Sequence, residues 1–90
     1  MNTMNATYSP VQSEVPIVFA FDARGIAKRF RHAAIFAAAG MLRSGETMRV
    51  ISECDLAPLQ EQMLRQYGTA VTSRSVERGP ERIVVDFIRA

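Results

Sequence analysis

The sequence predicts a small α+β protein, a two-layer α/β sandwich in which two helices cover one face of a mixed four-stranded sheet. Short apolar runs alternate with segments of helical periodicity in the order β-α-β-α-β-β. The 90 residues are 48% hydrophobic and 22% charged, a composition typical of one globular domain. We expect residues 15–90 to form that domain. Residues 1–14 are polar and lack periodicity, which predicts a disordered N-terminal tail.

The first β-α unit is predicted from residues 17–43. Residues 17–21 read I-V-F-A-F, a short apolar run that indicates a buried strand. In the D-A-R-G segment that follows, Gly25 is expected to supply the positive φ of a tight turn. Five alanines favour a helix over residues 28–43, and Ser44-Gly45 is typical of a helix end.

The predicted first helix has one apolar face and one outward face. The apolar face consists of Phe30, Ala34, Ala37, Ala38 and Met41, widened by Ile35 and Leu42. The outward face contains His32, Phe36 and Arg43. Phe36 has two interpretations at this point: an exposed aromatic at a protein interface, or a core residue.

The remaining segments complete the sheet and its second helix. Strands are predicted at residues 47–52, 70–78 and 82–89, with a Gly79-Pro80 turn before the last. A right-handed crossover makes the first two strands parallel, and the last two form a hairpin. Asp55 is expected to cap the second helix, Pro58 to lie in its first turn and Gly68 to end it.

The charge distribution favours small anions or acidic partners over nucleic acid. The net charge is only +2, but residues 21–50 carry six basic and two acidic side chains, whereas residues 51–90 carry five and six. The polar strand T-S-R-S-V-E-R lacks the aromatic residues of an RNA-binding sheet. We therefore expect a protein partner or a small anion, and no nucleic acid.

One cysteine, Cys54, excludes an internal disulfide and a multi-cysteine zinc site, and fits a reducing compartment. The longest apolar run, residues 33–42, has about half the length of a membrane span. Residues 1–14 do not resemble a secretory leader. The prediction is a cytoplasmic protein without membrane association.

Basic side chains crowd the start of the first helix, where the helix dipole is already positive. One interpretation is a site for an anionic group or an acidic partner, since helix N-terminal N–H groups bind anions and Arg adds bidentate donors. The other is a solvated face on which the cations are tolerated. The candidate residues are Arg24, Lys28, Arg29, Arg31 and His32.

A second candidate site combines His32, Cys54 and Asp55. The topology places the ends of the first two strands at one edge, where open α/β sheets tend to bind ligands. Imidazole, thiolate and carboxylate are all metal ligands, and a Cys-His pair also suits a nucleophilic thiol. The alternative is a surface histidine and a half-buried loop cysteine. No other cofactor is indicated.

The predicted architecture and the D-A-R-G segment resemble the TusA/SirA-like fold of small sulfur carriers. Their signature is D-x-x-G-x-x-C-P-x-P. Asp22 and Gly25 match it, but Lys28 stands at the cysteine position, and Arg29 and Arg31 at the prolines. The resemblance implies the fold without sulfur transfer from that position.

A closer resemblance covers residues 22–89. It is to an uncharacterised TusA-related family of unknown function, often found beside hemerythrin-like domains or denitrification genes. The chain is similar to its R-H-x-x-I-F, D-H-D-P-x-P-L and late G-P motifs. It departs from them at Cys54, where the family has histidine, at Leu56, where it has proline, and at Ile83, where it has tryptophan.

Together these features predict a binding or carrier-like accessory domain that is not itself an enzyme. It would dock an anionic group or a protein partner at the basic edge of the first helix. The resemblance implies a setting in redox or nitrogen-oxide metabolism. The alternatives are a thiol or sulfur relay that uses Cys54, and a metal-binding module that uses Cys54 and His32. The sequence does not decide the oligomeric state.

Overall fold

The predicted fold class is confirmed in a computed structural model, which describes residues 17–90. A mixed four-stranded sheet in the order β1-β2-β4-β3 packs against two helices. The predicted disordered tail, residues 1–14, lies outside the described residues. Within residues 17–90, neither helix has the length and apolar character needed to cross a membrane.

The strands are β1 (Ile17–Asp22), β2 (Glu46–Ser52), β3 (Val71–Arg78) and β4 (Ile83–Arg89). β1 and β2 are parallel, as the crossover predicts, and β4 is antiparallel to both β2 and β3. The prediction that residues 17–21 form a buried strand was wrong, because β1 lies at the edge of the sheet and its residues 17–20 are exposed. The parallel pair brings the C-terminal ends of β1 and β2 to one edge of the sheet. This edge is also where α1 begins.

The helices are α1 (Lys28–Gly40) and α2 (Ala57–Tyr67). α1 ends three residues earlier than predicted, and Leu42 then turns into the core. A methyl group placed on Gly40 would lie 2.9 Å from the Tyr67 hydroxyl. That hydroxyl donates to the Phe36 carbonyl (3.2 Å), so the glycine permits the close contact between the two helices.

The predicted inward face of α1 was only partly correct: Ile35 and Leu42 are buried and Ala38 packs against the core, but some other predicted members are exposed. Phe30 and Met41 are 55% and 82% exposed, whereas the buried positions are Arg31, Ile35 and Ala39, which repeat at the helical interval of four. Phe36 packs against the core, with its ring 5.7 Å from that of Tyr67. Of its two interpretations, the core residue is therefore the correct one.

Gly25 does not supply a positive φ. Residues 23–25 form a short 3₁₀ turn, and Asp22 caps it by accepting a hydrogen bond from the Arg24 N–H (3.1 Å). Among the described residues, the glycines with positive φ are Gly45 (85°) and Gly68 (59°). Gly68 ends α2, as predicted, and Gly45 lies in the turn that enters β2.

The core lies between the helices and one face of the sheet. Its largest buried side chains come from both layers: Phe87, Val85 and Val50 from the strands, and Ile35, Leu59 and Met63 from the helices. Alternation along β4 places Val85 and Phe87 on the helix side and Asp86 on the opposite side.

An ion cluster joins three strands on the face away from the helices. Asp86 is 1% exposed. It accepts two hydrogen bonds from the Arg49 guanidinium (2.8 and 3.0 Å) and one from Arg74 (3.3 Å). The hydrogen bonds from Arg49 are the main reason that the pKa of Asp86 lies below its ordinary value, and Arg74 adds to the effect.

The Asp86 cluster predicts a specific loss of stability in acid. Because the pKa of Asp86 is lower in the folded protein, its carboxylate stabilises the fold above about pH 4 and stops doing so as the pH falls through the folded value. Asp86→Asn should lower the free energy of unfolding by about 1–3 kcal/mol at pH 7. The difference from the wild type should shrink as the pH falls below about 4.

Urea unfolding followed by circular dichroism at a series of pH values measures both effects. Glu81→Gln is the control, because Glu81 is exposed and lies outside the Asp86 cluster, and it should leave the free energy of unfolding within about 0.5 kcal/mol of the wild type. Equal stability of the wild type and Asp86→Asn at pH 7 would contradict the prediction.

Candidate functional site

The candidate site lies where β1 and β2 end and α1 begins. We call this region the carboxyl edge and define it as residues 22–32 and 52–55. The parallel pairing of β1 with β2 brings these two segments together. A hydrogen bond between them, from Arg31 to Glu53, closes the region.

Helix α1 begins without a side-chain cap. Ala27 occupies the N-cap position, and the first turn contains no acidic residue. The helix dipole and the unpaired N–H groups at this end therefore keep their positive character. Lys28, Arg29 and His32 are exposed around it, and the Arg29 guanidinium stacks on the Phe30 ring at 4.7 Å.

Arg24, which the sequence assigns to the anion site, forms an ion pair with Asp22. Its Nε and Nη2 donate to the two carboxylate oxygens at 2.9 and 2.8 Å. These hydrogen bonds lower the pKa of Asp22 to about 2. The pair is close to neutral and exposed, so the net positive charge of the carboxyl edge comes from other residues.

Arg31 is a buried cation that joins the two segments of the edge. It is 4% exposed, and its Nε and Nη2 donate to the Ile26 carbonyl at 3.1 and 2.7 Å. Its Nη1 lies 3.2 Å from a Glu53 carboxylate oxygen and 3.6 Å from the Cys54 sulfur. Arg31 therefore fixes the loop after β2 and also contacts the thiol.

The backbone of Cys54 is held by the last residue of β2. The buried Ser52 hydroxyl accepts from the Cys54 N–H (2.9 Å) and donates to the Cys54 carbonyl (3.1 Å). The Cys54 side chain is half-buried and contacts Arg31. One residue later, the Asp55 carboxylate accepts from the N–H of Ala57, the first residue of α2 (3.0 Å). The N-cap position is Leu56 and not Asp55 as predicted, because the helix begins one residue later.

The proposed metal ligands were His32, Cys54 and Asp55. Within residues 17–90, no three His, Cys, Asp or Glu side chains lie close enough together to hold a metal ion. His32 is exposed on α1, and the Asp55 carboxylate accepts a hydrogen bond from the Ala57 N–H. The geometry therefore adds no support to a metal site.

The sequence did not reveal the burial of Arg31 or the role of Ser52. Arg31 was grouped with the exposed cations because arginine counts as polar in a helical pattern. One signal was available: Arg31, Ile35 and Ala39 repeat at an interval of four and therefore lie on one stripe of α1. Ser52 had no comparable signal, because its role depends on the conformation of the loop after it.

Comparison with known proteins gives one match. A family model described as "Uncharacterized conserved protein (DUF2249)" matches residues 20–89, which include all four strands except the start of β1, and both helices. Among curated proteins and solved structures, nothing matches the chain significantly.

The Ser52 hydroxyl is predicted to stabilise the loop that carries Cys54. Ser52→Ala leaves the N–H and carbonyl of Cys54 without that partner, which should lower the free energy of unfolding by about 1–3 kcal/mol. Urea unfolding measures this. Ser44→Ala, an exposed change, is the control and should stay within about 0.5 kcal/mol of the wild type. A Ser52→Ala variant as stable as that control would contradict the assignment.

Proposed function

The chain belongs to the DUF2249 family of uncharacterised conserved proteins, and we propose that it is a small docking domain that binds an anionic group of a partner at the carboxyl edge. The observation that carries the proposal is the start of α1. A helix N-terminus without a side-chain cap or an acidic residue is surrounded there by exposed cations.

The side chains that would contact the anion are Lys28, Arg29 and His32. Arg24 and Arg31 do not belong to this set. Arg24 forms an ion pair with Asp22. Arg31 donates to the Ile26 carbonyl and forms an ion pair with Glu53. A helix N-terminus with nearby cations suits a phosphate or a carboxylate. The natural ligand is then an acidic segment of a protein or a phosphorylated small molecule.

The proposal predicts saturable binding of anions at this end of α1. Titration of the full ¹⁵N-labelled chain with inorganic phosphate, ATP or a glutamate-rich peptide should shift the amide signals of residues 28–32. Lys28→Gln/Arg29→Gln should weaken the binding roughly tenfold, from two exposed charge contacts of up to about 1 kcal/mol each.

Arg65→Gln/Arg78→Gln is the matched control for this titration. It removes the same net charge from exposed positions outside the carboxyl edge, and it should leave the affinity nearly unchanged. If both double variants weaken binding equally, the effect comes from net charge and not from a site. If none of the three probes shifts residues 28–32, the proposal is wrong.

A second candidate function is a thiol relay through Cys54. The observation that favours it is the Arg31 Nη1 atom 3.6 Å from the sulfur of a half-buried cysteine. Reactive cysteines are found beside cations, which stabilise negative charge on sulfur. Glu53 shares the same Nη1 atom, so its carboxylate offsets part of this effect.

The relay predicts that Glu53 restrains the reactivity of the thiol. Glu53→Gln should speed alkylation of Cys54 by iodoacetamide roughly two- to fivefold, the effect of up to about 1 kcal/mol of charge interaction near water. Cys54 is the only cysteine, so the rate reports this site alone. Glu61→Gln, the same change on the exposed face of α2, should alkylate at the wild-type rate. Equal rates for all three proteins would contradict the relay.

We also propose kinship with the TusA/SirA sulfur carriers. Its support is the shared β-α-β-α-β-β order and the D-A-R-G segment at the turn before α1. Lys28 stands where those carriers have their signature cysteine, so any thiol chemistry here would have moved to the loop after β2. The setting in redox or nitrogen-oxide metabolism stays a prediction.

A further inference from the structure

The two edges of the sheet differ sharply in chemistry. β3 forms one edge and contains Arg74, Glu77 and Arg78, with a register shift between Ser75 and Glu77. Charges and bulges of this kind prevent edge-to-edge pairing of sheets. β1 forms the other edge and has no charge, proline or register shift over residues 17–21.

The β1 edge is also unusually apolar for a surface. Ile17, Val18 and Phe19 are 49%, 45% and 49% exposed. Beside them lies a cleft of about 490 Å³, formed by β1, the start of β2 and the end of α1. Phe19, Phe21 and Met41 line it, and Met41 is 82% exposed. Within residues 17–90, no strand pairs with the outer side of β1.

We propose that β1 pairs antiparallel with β1 of a second copy of this chain, which joins the two sheets into one of eight strands and covers the cleft. This proposal is independent of the docking function. A two-fold axis at Phe19 places Ile17 opposite Phe21 of the other copy, on the same face. The apolar pattern of the strand is therefore complementary to itself.

The charges at the two ends of β1 favour this occupant. Glu46 pairs in register with Ile17 and, together with Arg43, lines the cleft at the start of the strand. Asp22 and Arg24 lie at the other end. Antiparallel pairing brings one copy's Arg43 and Glu46 toward the Asp22 and Arg24 end of the other copy. Each end then offers both signs of charge to its counterpart, an arrangement that is compatible with self-association.

Sedimentation of the full chain tests the pairing with a matched pair of variants. Val18 on β1 and Val76 on β3 are both 45% exposed. We expect a dimer for the wild type and for Val76→Lys. Val18→Lys should weaken it at least about tenfold, because it places two like charges near the two-fold axis. Circular dichroism confirms that both variants are folded.

Oxidative crosslinking locates the contact. Phe19→Cys in a Cys54→Ser background should form a disulfide between copies, because directly opposed Cα atoms lie about 4.5–5.5 Å apart. Thr72→Cys on the β3 edge is the control and should stay monomeric on denaturing gels. A chain that is monomeric up to about 1 mM would overturn the proposal. A dimer that crosslinks through Thr72→Cys and not through Phe19→Cys would also overturn it. A third contrary result would be a change in the amide signals of residues 17–21 alone when residues 1–14 are removed, because that result would mean that residues 1–14 occupy the β1 edge.

Discussion

The guanidinium of Arg31 holds the carboxyl edge together. It donates to the Ile26 carbonyl just before α1, to Glu53 and to the Cys54 sulfur in the loop after β2. A buried cation without such partners would cost several kcal/mol, so its burial requires all of these groups to be in place. Arg31 therefore links the start of α1 to the loop after β2.

The charged and polar side chains of the carboxyl edge fall into two groups that differ in burial. The Arg31 guanidinium at the centre is buried and used for structure, whereas Lys28, Arg29 and His32 remain exposed around an uncapped helix. The Asp86 cluster on the other face of the sheet is the converse case, a buried carboxylate between two more exposed arginines. In both clusters the buried ion is paired and hydrogen-bonded, which is the condition for its burial.

The element order, the parallel pair and the C-terminal hairpin could be predicted from the sequence because they depend on local periodicity and on the handedness of the crossover. The inward face of α1 could not. Alanine is found on both buried and exposed helix faces, so the alanines of α1 do not indicate which face is inward. Large apolar residues such as Phe30 and Ile35 also occur on different sides of the helix.

The details of the site depended on contacts between distant segments. Arg31 and Cys54 are 23 residues apart, and Arg49 and Asp86 are 37 apart. Their contacts follow from strand order and register, which periodicity does not specify. The contact of Asp55 near the start of α2 was easier to predict, because its carboxylate bonds to a backbone N–H only two residues away.

The hydrogen bonds of the Ser52 hydroxyl bear on how the sequence of such a domain could diverge at position 54. Both of its hydrogen bonds go to backbone atoms of residue 54, so neither depends on which side chain that residue carries. A thiol, an imidazole or a hydroxyl would be presented from the same point, next to the same guanidinium. The side chain at position 54 could thus be exchanged by a single substitution without a change in the backbone hydrogen bonds that position it.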